Sequence, residues 1–262
     1  MYEYTKKTKQ HLVYAAVLLS IISVGCETTN METQEKQRIS AEMSGIEQKA
    51  AREQAEQLNM IAVETYNAGD YNTALEHINR AIKIEPTFAR SYTNRATIYF
   101  MQGKYKQAIE ETARSISLDP EDAQPYYIRG VTYCFIGKYW QAIDSTSAAI
   151  AIDPALWDAY NFRGVAYGQL GDYDKALEDL MYAIDIAIET RDISYTYYVN
   201  RGYIYLKQEK YEKALADLTE AIRLNPQDAE AYRLRAQVYK HLKQDERSAA
   251  DAQEAARLEP HQ

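Results

Sequence analysis

The sequence has only two cysteines, Cys26 and Cys134, and four histidines among its 262 residues. Two cysteines exclude a scaffold held together by several disulfides. The histidines stand far apart in the chain and do not have the spacing of a zinc motif, so no metal site is predicted.

The chain also lacks the short motifs of common catalytic and nucleotide-binding sites. It has no phosphate-cradling glycine loop, no nucleophile elbow and no Cys-x-x-Cys pair. The acidic residues number 38 against 30 basic ones, and the resulting formal charge of −8 would repel nucleic acid. We therefore expect a protein without enzymatic activity or cofactor, and a partner that is not a nucleic acid.

Alternating strand patterns are missing, and helical spacing is present instead. In "AYNFRGVAYGQL" the residues Tyr160, Gly164, Tyr167 and Leu170 recur at helical spacing, and a turn at Gly171 follows. The next segment, "DKALEDLMYAI", has a second apolar stripe. Two antiparallel helices with a tight turn are predicted. Such a hairpin cannot bury its apolar face without neighbouring hairpins.

The same pattern recurs along the chain. The motif Tyr-x-x-Arg-Ala/Gly-x-x-Tyr occurs five times with spacings of 34, 34, 38 and 34 residues, starting at Tyr92, Tyr126, Tyr160, Tyr198 and Tyr232. The same step is kept by five alanines, Ala74, Ala108, Ala142, Ala176 and Ala214, and every unit except the fourth closes on a proline. This pattern of aromatic, small and proline positions resembles the tetratricopeptide repeat (TPR).

The resemblance covers the chain after Gln54 and implies an all-α fold, a right-handed superhelical solenoid of about six TPR helix hairpins. The predicted repeats are residues 55–88, 89–122, 123–156, 157–194, 195–228 and 229–262. In this family the first helices of the repeats line a concave groove that receives a peptide or protein segment. The function implied by the resemblance is that of a noncatalytic protein–protein interaction scaffold or adaptor.

The N-terminus has the layout of a secretory signal. Three lysines precede an apolar run from Leu12 to Val24, which is short for a membrane span. The sequence "SVGC" resembles a bacterial lipoprotein processing site, at which residues 1–25 are removed and Cys26 receives lipid. Ser23 departs from that pattern, so ordinary cleavage and an uncleaved anchor stay open. We expect a lipoprotein of the bacterial cell envelope, attached to the outer membrane and facing the periplasm.

Residues 26–54 are polar and nearly devoid of large apolar side chains. Their first part is predicted to be a tether. From about Ser40 they are predicted to form a helix that continues into the first repeat.

Each motif arginine lies on the helical face that should pack against a neighbour. An acidic residue follows sixteen places later in four of the repeats, and these pairs are Arg95 and Glu111, Arg163 and Asp179, Arg201 and Asp217, and Arg235 and Asp251. After Arg129 that place is occupied by Ser145. Because an unpaired charge on a packing face is costly, the two charges are predicted to meet between the helices of one hairpin.

The fourth repeat is four residues longer than the others and lacks the closing proline. Its second helix is predicted to continue past Ile188 toward Thr190, by about one turn. The extra turn would change the angle between repeats four and five. The array would then behave as two segments, residues 55–194 and 195–262.

The groove positions of the family place an apolar centre on repeats three and four, with polar residues on one side and polar and basic residues on the C-terminal side. The centre consists of Tyr127, Ile128, Val131, Phe135, Phe162 and Val165. The flanking residues are Asn94 and Thr97 on one side, and Asn200, Tyr203, Lys207, Arg233 and Lys240 on the other. A protein segment with apolar anchors and acidic residues at one end would fit this surface. The alternative is that some of the aromatic residues pack between repeats.

Two other functions stay open. The chain could be a self-associating structural component of an envelope assembly, and hence a homo-oligomer. It could also be a cytoplasmic TPR adaptor tethered by an uncleaved anchor. The clamp that binds a C-terminal carboxylate in some members of the family is not matched, because its lysine and arginine positions hold other residues here.

Overall fold

The computed structural model describes residues 30–259, with side chains from residue 34 onward. This part of the chain forms twelve α-helices and no strands, which confirms the all-α prediction for it. The helices are α1 (Asn30–Asn67), α2 (Tyr71–Ile84), α3 (Ala89–Met101), α4 (Tyr105–Leu118), α5 (Ala123–Phe135), α6 (Tyr139–Ile152), α7 (Trp157–Gln169), α8 (Tyr173–Thr190), α9 (Tyr195–Lys207), α10 (Tyr211–Leu224), α11 (Ala229–His241) and α12 (Asp245–Leu258).

The predicted signal segment and Cys26 lie outside the described residues. Of the helices within residues 30–259, none combines the length and the hydrophobicity that a membrane span requires.

The chain divides into two compact units at Ser91 and Tyr92, within α3. In the first unit α1 and α2 pack as a hairpin. Its core contains Ala55, Leu58 and Phe88. The buried Asn59 amide donates a hydrogen bond to Ser91 Oγ at 2.7 Å.

Helix α1 begins ten residues earlier than the start expected near Ser40. No side chain of residues 34–54 is buried. The helix there is supported by good helix formers and by exposed ion pairs such as Arg38 with Glu35 and Glu42. The predicted tether is therefore helical from Asn30 onward.

The second unit, Tyr92–Gln262, contains the remaining hairpins in chain order. From α4 to α12, each second helix packs against the first helix of the next hairpin. The first helices α5, α7, α9 and α11 also contact one another in sequence. They therefore form a continuous surface to which each of them contributes side chains.

Small residues lie where the two helices of a hairpin approach most closely, as the sequence predicts. A Cβ atom added to Gly164 would lie 2.9 Å from Leu180 Cγ and 3.1 Å from the Ala176 carbonyl oxygen. A larger residue there would force α7 and α8 apart.

The arginines pair with the predicted carboxylates. Arg163 and Asp179 form two hydrogen bonds of 2.8 Å each, and these bonds raise the pKa of the Arg163 guanidinium. The pairs at Arg95, Arg201 and Arg235 are also formed, at 2.7–2.8 Å. Arg129 donates instead to Ser145 Oγ at 3.1 Å.

A contact that the sequence analysis did not predict involves the tyrosine that precedes each motif arginine by three residues. In all five hairpins of the motif the guanidinium carbon lies 5.3–5.8 Å from the centre of that ring. The spacing Tyr-x-x-Arg itself was the available signal, because residues three apart are neighbours on a helix.

Prolines explain where most second helices end. Glu85, Asp119, Asp153 and Asn225 each precede a proline and adopt an extended or turn-like backbone conformation. Helix α8 has no such proline. It continues for 18 residues, against 14 in α6 and α10, and ends at Thr190 as predicted.

The predicted division of the array at residue 195 is not observed. Ile184 and Ala187 on the long helix α8 share one core with Tyr197 on α9. Residues on both sides of the boundary belong to the same compact unit. The bulky Tyr197 occupies a place that is small or proline in the neighbouring repeats, and it fills the space beside the extra turn.

Candidate functional site

The first helices of three consecutive hairpins surround one surface cavity of about 170 Å³. Helices α7, α9 and α11 each supply part of its lining, which includes Val165, Gln169, Asn200, Tyr203, Glu230 and Leu234. The apolar side chains form the floor of the cavity. Leu234 is buried and Val165 is half-buried, so both are packed against the surrounding helices. We call this feature the α9 cavity.

The polar side of the α9 cavity is held by a hydrogen bond between two asparagines. Asn200 donates from Nδ2 to Oδ1 of Asn161, which is buried on α7, at 2.9 Å. One donor of the Asn200 amide is therefore used inside the protein and serves to fix the amide plane beside the cavity.

Tyr203 and Lys207 extend the cavity toward the C-terminal end of α9. Lys207 is exposed, and its Nζ lies 5.2 Å from the centre of the Tyr203 ring. The cation and the ring attract one another, so the lysine is held near the cavity entrance. Three of the predicted groove residues, Val165, Asn200 and Tyr203, thus meet at one place.

The predicted apolar centre is only partly available to a ligand. Val131 is a core residue with 7% exposure, so its assignment to the groove surface is wrong. Tyr127 and Phe162 are half-buried and meet edge-on with their ring centres 6.0 Å apart. Burial, and next the charge of Asp158, raise the pKa of Tyr127. These two rings therefore also pack α5 against α7. Ile128, another residue of the predicted centre, is likewise half-buried.

Phe135 lies apart from this centre. It is 59% exposed and its ring contacts those of Phe100 and Tyr105, at the turn end of the hairpins. Of the two flanking residues on α3, Asn94 is half-buried, and the Thr97 hydroxyl donates to the carbonyl of Thr93 in its own helix at 3.1 Å.

The basic residues on α11 differ in their surroundings. Arg233 contacts the carboxylates of Glu230 and Glu259, which neutralise its charge. Lys240 is exposed and has no carboxylate within ion-pair distance in residues 34–259. Both line a second cavity of about 280 Å³ between α11 and α12, with Ser248 and several alanines. The basic flank predicted for this end is therefore reduced to Lys207 and Lys240.

Asp158 is a polar residue of this surface that the sequence analysis missed. It accepts a hydrogen bond of 2.6 Å from the hydroxyl of Tyr197 on the next first helix. Burial and this hydrogen bond raise the pKa of Tyr197. The long spacing of the fourth repeat concealed the pair, because Tyr197 falls 39 residues after Asp158.

Cys134 is the free cysteine within the described residues, and it is half-buried. Its Sγ lies 3.5 Å from the carbonyl oxygen of Phe162. Burial raises the pKa of the thiol to about 12, so the group is uncharged at neutral pH. Within the described part of the chain no cluster of three or more His, Cys, Asp or Glu side chains could hold a metal ion.

Family comparison identifies repeats in three segments of the chain. Residues 77–110 and 158–187 match models described as tetratricopeptide repeat, and residues 202–243 match a model described as TPR repeat. The chain therefore contains tetratricopeptide repeats. Among curated protein sequences no significant relative is found.

Solved structures with the same fold include other TPR proteins. A chain of the APC/C hetero-tetramer Cut9–Hcn1 has a TM-score of 0.74 at 19% identity. The match covers 80% of the present chain and 41% of the length of that chain. PilF of Pseudomonas aeruginosa has a TM-score of 0.68 at 16% identity, with coverage of 81% and 95%. YrrB, a TPR protein with an unusual peptide-binding site, has a TM-score of 0.53 at 19% identity, with coverage of 70% and 92%. At these identities the likeness shows the fold alone.

Proposed function

We propose that this chain is a noncatalytic scaffold that binds a segment of a partner protein across its first helices, with the α9 cavity receiving an apolar side chain. The observation that carries the proposal is the meeting of α7, α9 and α11 around that cavity. Its size is similar to the roughly 150 Å³ apolar cavity that holds benzene in another protein. A leucine or phenylalanine side chain therefore fits it.

The rim of the cavity supports a polypeptide ligand. Asn200, Gln169 and Glu230 supply amide and carboxylate groups next to the apolar lining, and these groups can bond a peptide backbone. Lys207 at the entrance favours an acidic residue beside the apolar anchor. The TPR fold and the peptide-binding site named for YrrB agree with this mode of recognition.

The proposed location is the bacterial cell envelope, with lipid on Cys26. It rests on the lysines, the apolar run and the "SVGC" sequence of the first 26 residues. Cys26→Ser should release the protein from the membrane fraction and leave its helical content unchanged by circular dichroism. Full retention of the variant in the membrane would instead indicate an uncleaved anchor.

A photo-cross-linker placed at two positions tests the groove in cells. Gln169 lines the α9 cavity and is exposed, whereas Gln253 is exposed on α12 outside both cavities. We expect one discrete adduct from position 169 that is missing from position 253. The adduct should disappear when Tyr203→Ala is added. Equal adducts from both positions would contradict the proposal.

A further inference from the structure

Four large apolar side chains are exposed at the turn ends of two consecutive hairpins. Met101 is the last residue of α3, while Phe135, Ile136 and Trp140 lie on either side of the turn between α5 and α6. Their exposed fractions are 47%, 59%, 36% and 68% respectively. We call this group the turn-edge patch. Exposed apolar groups that gather on one part of a surface mark interaction sites.

The patch is built on an aromatic cluster that joins the two hairpins. Phe135 meets Phe100 edge-on with 4.9 Å between ring centres, and Tyr105 lies 6.3 Å from Phe135 and 5.8 Å from Phe100. The exposed ring of Phe135 is therefore held in place from beneath. A preorganised aromatic side chain loses little conformational freedom when a partner covers it.

Lysines accompany the apolar side chains at the same two hairpin ends. Lys104 and Lys138 are exposed in the two turns, and Lys106 is exposed at the start of α4. Lys106 approaches Glu110 no closer than 3.9 Å, which leaves its charge largely in solvent. Lys104 and Lys138 occupy the N-cap positions of α4 and α6 without forming a capping hydrogen bond. A cation is unfavourable at that end of a helix, so these lysines do not serve helix stability.

We propose that the turn-edge patch docks an acidic protein segment that carries a large apolar anchor. Apolar contact with Phe135 and Trp140 supplies the anchor site, and the three lysines attract carboxylates on either side of it. In a dimer formed by a two-fold axis through the patch, the lysines of the two copies would face and repel one another. An anionic membrane would repel a chain whose net charge is −8. The patch lies outside the α9 cavity, so this contact is additional to the proposed groove function.

Fluorescence anisotropy with three labelled peptides of equal length tests the proposal on the purified full-length chain. The first peptide has leucine and phenylalanine between glutamates, the second has the same anchors between lysines, and the third has serines between glutamates. We expect the first peptide to bind at least about tenfold more tightly than the other two. Trp140→Ser should weaken that binding by about the same factor, as should Lys104→Glu combined with Lys138→Glu.

Lys210→Glu is the matched control, because Lys210 is also an uncapped N-cap lysine but lies in a turn without the patch. It should leave the affinity unchanged. The proposal is overturned if the three peptides bind equally or if Trp140→Ser has no effect. It is also overturned if the peptides do not bind while Trp140→Ser weakens the binding of the chain to phosphatidylglycerol vesicles, or if sedimentation shows a dimer that Trp140→Ser dissociates.

Discussion

At the residue scale, the ion pairs explain a charge that the helix pattern places among apolar residues. The Asp179 side chain is 7% exposed and that of Arg163 is 20% exposed, so the pair is largely removed from water. The Tyr160 ring covers the guanidinium at 5.4 Å. Removal of one member would leave the other charged, half-buried and unpaired.

Asp179→Ala should therefore lower the free energy of unfolding by about 3 kcal/mol. Asp185→Ala is the control, because Asp185 is exposed on the same helix α8. Urea denaturation followed by circular dichroism measures the difference. If the two variants unfold at the same urea concentration, the pair does not stabilise the hairpin.

The sequence was sufficient to predict these pairs, because each arginine and its carboxylate recur together at a fixed spacing. It was not sufficient to predict which groove residues reach solvent. Val131 and Val165 occupy the same position in consecutive repeats, yet Val131 is buried and Val165 lines a cavity. The difference depends on the size of the side chains on neighbouring helices, which the repeat pattern does not specify.

At the element scale, the tight turns differ in the residue that adopts a left-handed backbone. Gly69, Gly103, Gly137 and Gly171 have positive φ values of 70–84° in four turns. Glu209 and Lys243 take the equivalent place in the last two turns, with φ of 59° and 57°. A side chain in that conformation is strained, whereas glycine is not.

Glu209→Gly should stabilise the protein by about 0.5–1 kcal/mol, because it removes this strain in the turn between α9 and α10. Gly171→Ala, in the turn before α8, is the reciprocal change and should destabilise by a similar amount. Thermal unfolding of both variants measures the two effects. A lower melting temperature for Glu209→Gly would show that Glu209 contributes a contact that outweighs the strain.

The length of α8 shows what a missing proline predicts and what it does not. The absence of proline after residue 186 predicted the longer helix, which ends at Thr190. The expected division of the array into two segments did not follow, because Tyr197 fills the added space and donates a hydrogen bond to Asp158. A local pattern thus determined the length of one helix, while the packing of a distant aromatic residue kept the neighbouring hairpins together.

At the scale of the whole molecule, the hairpins of the second unit provide a surface to which each first helix contributes. The net charge of −8 is unevenly distributed, since three lysines lie at the turn-edge patch and Lys207 lies at the entrance of the α9 cavity. Two proposed recognition surfaces on one chain fit the proposed scaffold, because a scaffold brings two partners together. The proposed function requires that one of them, the α9 cavity, binds a partner segment.

Isothermal titration of the cross-linked segment, prepared as a synthetic peptide, tests whether the cavity binds it. Tyr203→Ala should weaken its binding by at least about tenfold, because the ring lines the cavity. Tyr205→Ala is the control on the same helix, because Tyr205 contacts Arg201 and Lys213 and does not line the cavity. Both variants are compared after circular dichroism shows wild-type helical content, and Tyr205→Ala should bind the peptide with wild-type affinity. Equal affinity of wild type and Tyr203→Ala would contradict the account.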